Sequence, residues 1–231
     1  MHCITTYNLF NYYSDRLLGT SVSTVREQEE ARKKKGLSTN DAWFWNCYVS
    51  LPKASHNANI YLLQDDVLNF LRFWMNSYAA MVGANGKFWE AWNLGNYTDC
   101  SNPDNGTAGW FMENFRNLLV MEDGQYLWVA RATPRVWLEQ GMRISVKNAP
   151  TYFGTVDFEI TSDVDHGRIT ANLKMPSRHT ARQVWLRLRH PKTTPIRGVT
   201  VNGQDYLDFD PGREVVMLHD LMGNVSVEVR Y

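Results

Sequence analysis

Residues 224–231 read Asn-Val-Ser-Val-Glu-Val-Arg-Tyr, an alternation of polar and apolar side chains that runs to the last residue. A period of two is the pattern of a β-strand with one buried and one exposed face. Similar short runs occur upstream as ISV, GTVDFEIT, RITANLKMP, VWLRLRHP, GVTVNG and EVVMLHD, with turn residues such as Asn202-Gly203 and Pro211-Gly212 between them. Seven or eight short strands within residues 142–231 predict a small antiparallel β-sandwich.

The part of the chain before residue 142 differs in composition, because eight of the nine Trp in the whole sequence precede residue 140. Residues 58–82 carry apolar groups at three- and four-residue steps, which predicts a long amphipathic helix. A second helix is predicted over 107–121, and between the two lies an irregular stretch rich in Asn and Gly. We therefore predict an α+β protein with a helical part over 1–141 and the sandwich over 142–231.

Composition excludes several functional classes. The 24 Lys and Arg balance the 24 Asp and Glu, so the chain lacks the basic excess of a general nucleic-acid binder. No apolar run approaches the roughly 20 residues of a membrane-spanning helix. The three Cys form no CxxC pair, and neither GxSxG, GxxxxGK[ST] nor HExxH occurs. We expect no metal, no cofactor, no nucleic-acid partner and no membrane partner.

The strongest candidate for chemistry is a carboxylate among aromatic residues in the segment Lys87-Phe88-Trp89-Glu90-Ala91-Trp92-Asn93. Pyranose rings stack on indoles, and their hydroxyls need carboxylate, amide or ammonium partners. Cleavage of a glycosidic bond also needs a pair of carboxyl groups. A Glu between two Trp can be partly desolvated, which raises its pKa. The alternative is an aromatic packing cluster with Glu90 at the surface.

The order of elements resembles the C-terminal end of the six-hairpin glycosidases, and most closely the α-L-rhamnosidase-like enzymes. The resemblance rests on Trp89-Glu90-Ala91-Trp92, the Asn-rich stretch 93–105, Gly106 to Phe111, and the run 126–141 with Pro134 and Trp137. It implies that residues 1–141 form part of an α/α helical-hairpin toroid, followed by the β-sandwich.

The resemblance also implies a role for each candidate residue. Glu90 matches the general base of these inverting enzymes, and Trp89 and Trp92 match the sugar subsite. We expect Asn93, Asp99 and Trp110 to complete the binding of substrate. The general acid of such enzymes comes from an earlier hairpin that has no counterpart here. We therefore interpret the chain as the C-terminal portion of a glycoside hydrolase that needs upstream hairpins for activity.

Other interpretations stay open. The chain could instead be a non-catalytic carbohydrate-binding or scaffold fragment, or a polysaccharide lyase that uses Tyr97 or His56 as its base. An incomplete barrel would expose apolar helix faces around Leu63, Phe70 and Trp74, which predicts either association through these faces or poor solubility. The sequence does not fix the localisation, although an upstream signal peptide would make the protein secreted or periplasmic.

Overall fold

The computed structural model describes residues 48–50, 58–82, 86–88, 91–93, 98–99, 105–175, 183–220 and 222–231. These residues belong to two compact units. The first unit ends at Phe115, and the second runs from Arg116 to Tyr231.

The described part of the first unit combines helices with a small sheet. Residues 58–63 are helical, α1 spans Val67–Met81, and α2 spans Asn105–Leu119 and ends in the second unit. The sheet is antiparallel and has the order β1-β2-β3, with bounds β1 Tyr48–Ser50, β2 Ala91–Asn93 and β3 Thr98–Asp99.

The long helix predicted over 58–82 is broken at two adjacent aspartates. Asp65 adopts a φ of 63°, which ends the first helical segment. Asp66 then caps α1, because its Oδ1 accepts a hydrogen bond of 3.0 Å from the Asn69 N–H. Short carboxylate side chains bond to nearby backbone in this way and so compete with a continuous helix. The apolar period passes through the break unchanged, and for that reason it predicts one helix.

The second unit is built from two sheets. The six-stranded sheet has the order β11-β10-β14-β8-β7-β6, and the five-stranded sheet has the order β12-β13-β9-β5-β4. The bounds are β4 Val120–Asp123, β5 Tyr126–Val129, β6 Arg143–Thr151, β7 Gly154–Asp163, β8 Arg168–Lys174, β9 Gln183–Arg187, β10 Gly198–Val201, β11 Gln204–Tyr206, β12 Phe209–Asp210, β13 Val215–Leu218 and β14 Asn224–Arg230. Two short 3-10 helices occur at Arg135–Leu138 and Val164–His166.

Apolar side chains from both sheets form one core, so the second unit is a β-sandwich. Alternate residues of β14 and β8 point into it, as the period of two predicts. From the six-stranded sheet the core takes Ile144, Val156, Phe158, Ile160, Ile169, Ala171, Leu173, Val199, Val201, Val225, Val227 and Val229. From the five-stranded sheet it takes Val120, Leu127, Val129, Val184, Leu186, Val216 and Leu218.

The predicted fold class, a partial α/α helical-hairpin toroid followed by a small sandwich, is wrong for the part of the chain that the structure describes. A toroid needs successive antiparallel helices, but α1 is followed by β2 and α2 runs directly into β4. Strands β4 and β5 then join the sandwich, where β5 pairs with β9 in parallel. The described residues are therefore mostly β-structure. The domain division after residue 141 stays a prediction.

Candidate functional site

The residues expected to bind and cleave a sugar are spread over three places in the first unit. Trp89 and Glu90 lie outside the described residues. Trp92 and Asn93 lie in β2, Asp99 lies in β3, and Trp110 lies on α2.

The chain is anchored on both sides of the Trp89-Glu90 pair. Phe88 forms an antiparallel bridge with Val82 at the end of α1. Its ring lies 5.1 Å from the ring of Phe111 on α2, at an interplanar angle of 39°. On the other side, β2 begins at Ala91 and pairs with both β1 and β3. The candidate base is therefore one residue from a strand at the centre of its sheet.

The register of the small sheet brings predicted residues together. Trp92 is directly opposite Asp99, and Asn93 is directly opposite Thr98. Residues opposite each other in an antiparallel pair share one face and lie roughly 5 Å apart. Strand β2 also lies beside α1. Three of the six predicted site residues thus come from one strand pair, although they are up to seven positions apart in the sequence.

Part of the aromatic richness of the first unit is a packed core. Trp74 on α1 stacks on Phe111 at 5.3 Å and contacts Phe70 at 6.4 Å and Phe115 at 6.1 Å, measured between ring centroids. Such pairs are stabilised by their quadrupoles as well as by burial. Phe70 is fully buried and Trp74 is 6% exposed. The helix faces at these two residues are thus covered, and association through exposed helix faces stays a prediction.

Helix α2 carries two more candidates. Trp110 is half-buried, and its carbonyl oxygen accepts a 3.0 Å hydrogen bond from the Asn114 side chain. Glu113 is exposed and accepts a 3.1 Å hydrogen bond from the side chain of Asn59. The part of these two residues in one site with Trp92 stays a prediction.

A groove on the second unit was not anticipated from the sequence. It lies on the outer face of the six-stranded sheet and has a volume of about 630 Å³. The groups that line it come from β6, β7, β8, β14 and the turn after β10, and are Ser145, Val146, Lys147, Asp157, Phe158, Glu159, Asn172, Leu173, Lys174, Asn202, Asn224, Val225 and Ser226. The polar residues of the period-two runs predict an exposed face for each strand, but a sequence does not show which strands are neighbours.

Two local features shape the groove. Strand β6 carries a bulge between Val146 and Ala149, where Asn148 has a φ of 55° and its N–H donates to Asp157 Oδ1 at 2.6 Å. Bulges increase local twist and bend the edge of a sheet. On the opposite side, Asn202 in the β10–β11 turn accepts a 2.9 Å hydrogen bond from the Ser226 N–H through its side-chain oxygen. That bond holds the turn against β14.

Neither a metal-binding cluster nor a membrane-spanning helix is seen among the described residues. No group of three or more His, Cys, Asp or Glu there is placed to hold a metal ion. None of the helices in that part of the chain has both the length and the apolar character needed to cross a bilayer.

No protein-family model matches the sequence, and no curated protein matches it. A solved structure named "Glycoside hydrolase" is similar at a TM-score of 0.36 and 11% sequence identity, over 78% of this chain and 33% of that one. The chain thus spans about a third of the length of that structure. A TM-score of 0.36 is too low to carry an argument about fold or function.

Proposed function

We propose that this chain is the portion of a glycoside hydrolase that supplies the general base, Glu90. Trp89 and Trp92 form the sugar subsite, with Asn93, Asp99 and Trp110 as further ligands to the substrate. The mechanism is that of inverting glycosidases, as the resemblance of Trp89-Glu90-Ala91-Trp92 implies.

The observation that carries the proposal is the pairing of β2 with β3. It sets Trp92 opposite Asp99 in the backbone register, and Trp92 follows Glu90 by two positions in the chain. An indole supplies the apolar surface on which a pyranose stacks, while a carboxylate accepts hydrogen bonds from sugar hydroxyls. The bridge between Val82 and Phe88 supports the same view, because a base must be held in position to act on one water molecule.

The reaction is a single displacement. The Glu90 carboxylate accepts a proton from a water molecule while the water oxygen bonds to the anomeric carbon. The bond from that carbon to the leaving oxygen breaks, and the leaving oxygen takes a proton from a carboxylic acid on the other side of the sugar. In the proposed arrangement that acid comes from an upstream segment.

The test is hydrolysis by the natural polypeptide that contains this chain, measured with wild type and with Glu90→Gln. Loss of a general base typically lowers turnover by about 10²- to 10⁴-fold. We therefore expect kcat to fall at least about 100-fold, while KM changes little because the amide keeps the shape of the side chain.

The matched control is Glu113→Gln, which makes the same change at an exposed carboxylate on α2. It should leave kcat within about twofold, as surface substitutions away from a site generally do. If Glu90→Gln keeps kcat within a few-fold of wild type, Glu90 is not the base. Binding of saccharide without hydrolysis by the wild-type polypeptide would favour a non-catalytic carbohydrate-binding role.

A further inference from the structure

We propose that the groove on the six-stranded sheet is a second carbohydrate site, which binds a neutral oligosaccharide across strands β6, β7, β8 and β14. The choice of a saccharide over other neutral ligands rests on the proposed function. The groove itself lies wholly within the second unit and contains none of the residues assigned to hydrolysis.

Register arranges the groove side chains in two rows. In the first row, Ser145 is opposite Glu159, Glu159 is opposite Asn172, and Asn172 is opposite Ser226. In the second row, Lys174 is opposite both Asp157 and Asn224. Neighbouring strands are about 4.8 Å apart, so the first row crosses about 14 Å of sheet and the second about 10 Å. This is the length of a short oligosaccharide chain rather than of a single sugar.

The charges of the groove cancel. Lys147 and Lys174 face Asp157 and Glu159 within the same lining. Lys174 Nζ lies 4.0 Å from Asp157 Oδ2, and Glu159 pairs with Arg143 at the edge strand. A polyanion such as nucleic acid needs a net positive surface to replace its counterions. The balance of charge therefore favours a neutral ligand.

The remaining polar groups are neutral and available. The side chains of Ser145, Asn172, Asn224 and Ser226 are exposed. Among the described residues none of these four makes a side-chain hydrogen bond to the rest of the protein. An amide offers two donors and one acceptor oxygen, and a hydroxyl offers both. Sugar hydroxyls need the same mixture of donors and acceptors, and the cross-strand rows present it at regular intervals.

The test is titration of the ¹⁵N-labelled chain with neutral hexasaccharides, followed by NMR. The probes are cellohexaose, xylohexaose, mannohexaose and maltohexaose. We expect at least one of them to shift the backbone amide signals of β8 and β14, with weak affinity because the groove is open and Phe158, the aromatic residue of its lining, is buried in the core. The double variant Asn172→Ala with Ser226→Ala should weaken that binding at least about tenfold.

The matched control is Thr161→Ala, an exposed position on β7 that lies outside the groove. It should leave the dissociation constant within about twofold. The result that would overturn the proposal is absence of shifts with all four probes, or binding that the double variant leaves unchanged. Stronger shifts with polyglutamate or heparin than with any neutral probe would also overturn it, because the ligand would then be charged.

The proposed function and this proposal fail separately. Glu90→Gln should bind the hexasaccharide at the groove as wild type does, even when hydrolysis is lost. If hydrolysis turns out not to depend on Glu90, the titration still decides whether the groove binds sugar.

Discussion

The outer faces of the two sheets in the second unit differ in almost every respect, although their inner faces are alike. On the five-stranded sheet Trp128 is 1% exposed, and the guanidinium carbons of Arg131 and Arg187 lie 4.5 and 4.8 Å from its ring centroid. On the six-stranded sheet the corresponding face carries Asn172 and Ser226, both exposed. The first face carries a buried indole with guanidinium groups over it, whereas the second carries exposed hydrogen-bonding side chains.

In this comparison the outer face of the five-stranded sheet stabilises the sandwich, and the outer face of the six-stranded sheet is the one that we propose for binding. The guanidinium of Arg187 is fixed by more than the ring, because its Nη1 donates to the Arg131 carbonyl at 2.9 Å and its Nε donates to the Arg213 carbonyl at 3.1 Å. Cation–π contacts that are removed from water contribute about 2 kcal/mol each. We therefore expect substitutions on the five-stranded face to change stability, and substitutions in the groove to change binding.

The largest effect is expected for Trp128→Ala. It removes a buried indole that two guanidinium groups contact, and such truncations cost about 3–5 kcal/mol. Urea denaturation of the whole chain, followed by circular dichroism, measures the change in the free energy of unfolding. A loss under about 1 kcal/mol would contradict the burial of the Trp128 indole and its contacts with the two guanidinium groups.

The next effect concerns Glu214, which precedes β13. Its two oxygens accept hydrogen bonds of 2.7 and 2.8 Å from Arg135, and Arg189 lies 3.5 Å away. Burial and the neighbouring Arg135 lower the pKa of Arg189 to about 10, while Glu214 acts in the opposite direction. Glu214→Gln removes the carboxylate charge that both partly buried guanidinium groups contact, so we expect the free energy of unfolding to fall by about 3 kcal/mol.

The control for Glu214 is Arg143→Gln, which breaks an exposed pair with Glu159 at the edge of the six-stranded sheet. Exposed pairs contribute about 0–1 kcal/mol, so this change should be small. An equal loss in the free energy of unfolding for Glu214→Gln and Arg143→Gln, measured in the same urea titration, would contradict the difference that we describe between the two sheets.

A smaller and pH-dependent effect is expected at Glu122 on β4. Burial alone would raise the pKa of this carboxyl, but the hydrogen bonds and charge of Arg116 outweigh it and hold the pKa below 4.5. Because the folded state lowers the pKa, the pair stabilises the protein fully above pH 4.5, and this stability is lost as pH falls through the lowered pKa.

We therefore expect Glu122→Gln to cost about 2 kcal/mol at pH 7. The difference in the free energy of unfolding between wild type and variant should become smaller when unfolding is measured below pH 4.5. A gap that stays constant down to pH 2.5 would contradict the assigned role of the carboxylate charge.

The smallest effect is expected in the groove. Asn172→Ala and Ser226→Ala remove exposed side chains that make no described side-chain hydrogen bond, so each should change stability by no more than about 0.5 kcal/mol. Thermal unfolding of both variants checks this. A loss above about 1.5 kcal/mol in either would show that the polar rows serve the fold rather than a ligand.

The sequence predicts the sandwich better than the first unit, and particular residues show why. The alternation of Val225, Val227 and Val229 is local, and β14 follows it. The helix break at Asp65 leaves no trace in the apolar period, because it depends on the φ of Asp65 and on the side-chain cap that Asp66 provides. Strand β4 was predicted as the end of a helix, since the run from Leu118 to Met121 is apolar throughout and suits either element.

The candidate site was only partly predictable for a related reason. The composition around Glu90 drew attention to Trp92 and Asp99, but only strand pairing sets them opposite each other. The groove could not be predicted from the sequence, because its rows join residues as far apart as Ser145 and Ser226. Such non-local pairing follows from topology, and the parallel pairing of β5 with β9 was equally absent from the local pattern.

The most direct test of the account is the configuration of the sugar that is first released. The natural polypeptide containing this chain is mixed with each of the four hexasaccharides and with rhamnose-capped oligosaccharides, and anomeric protons are followed by NMR from the first minute. We predict that the first product has the opposite anomeric configuration to the bond cleaved, and that Glu90→Gln releases it at least about 100-fold more slowly. Release with retained configuration, or at an unchanged rate in the variant, would contradict the assignment of Glu90 as the base that activates water.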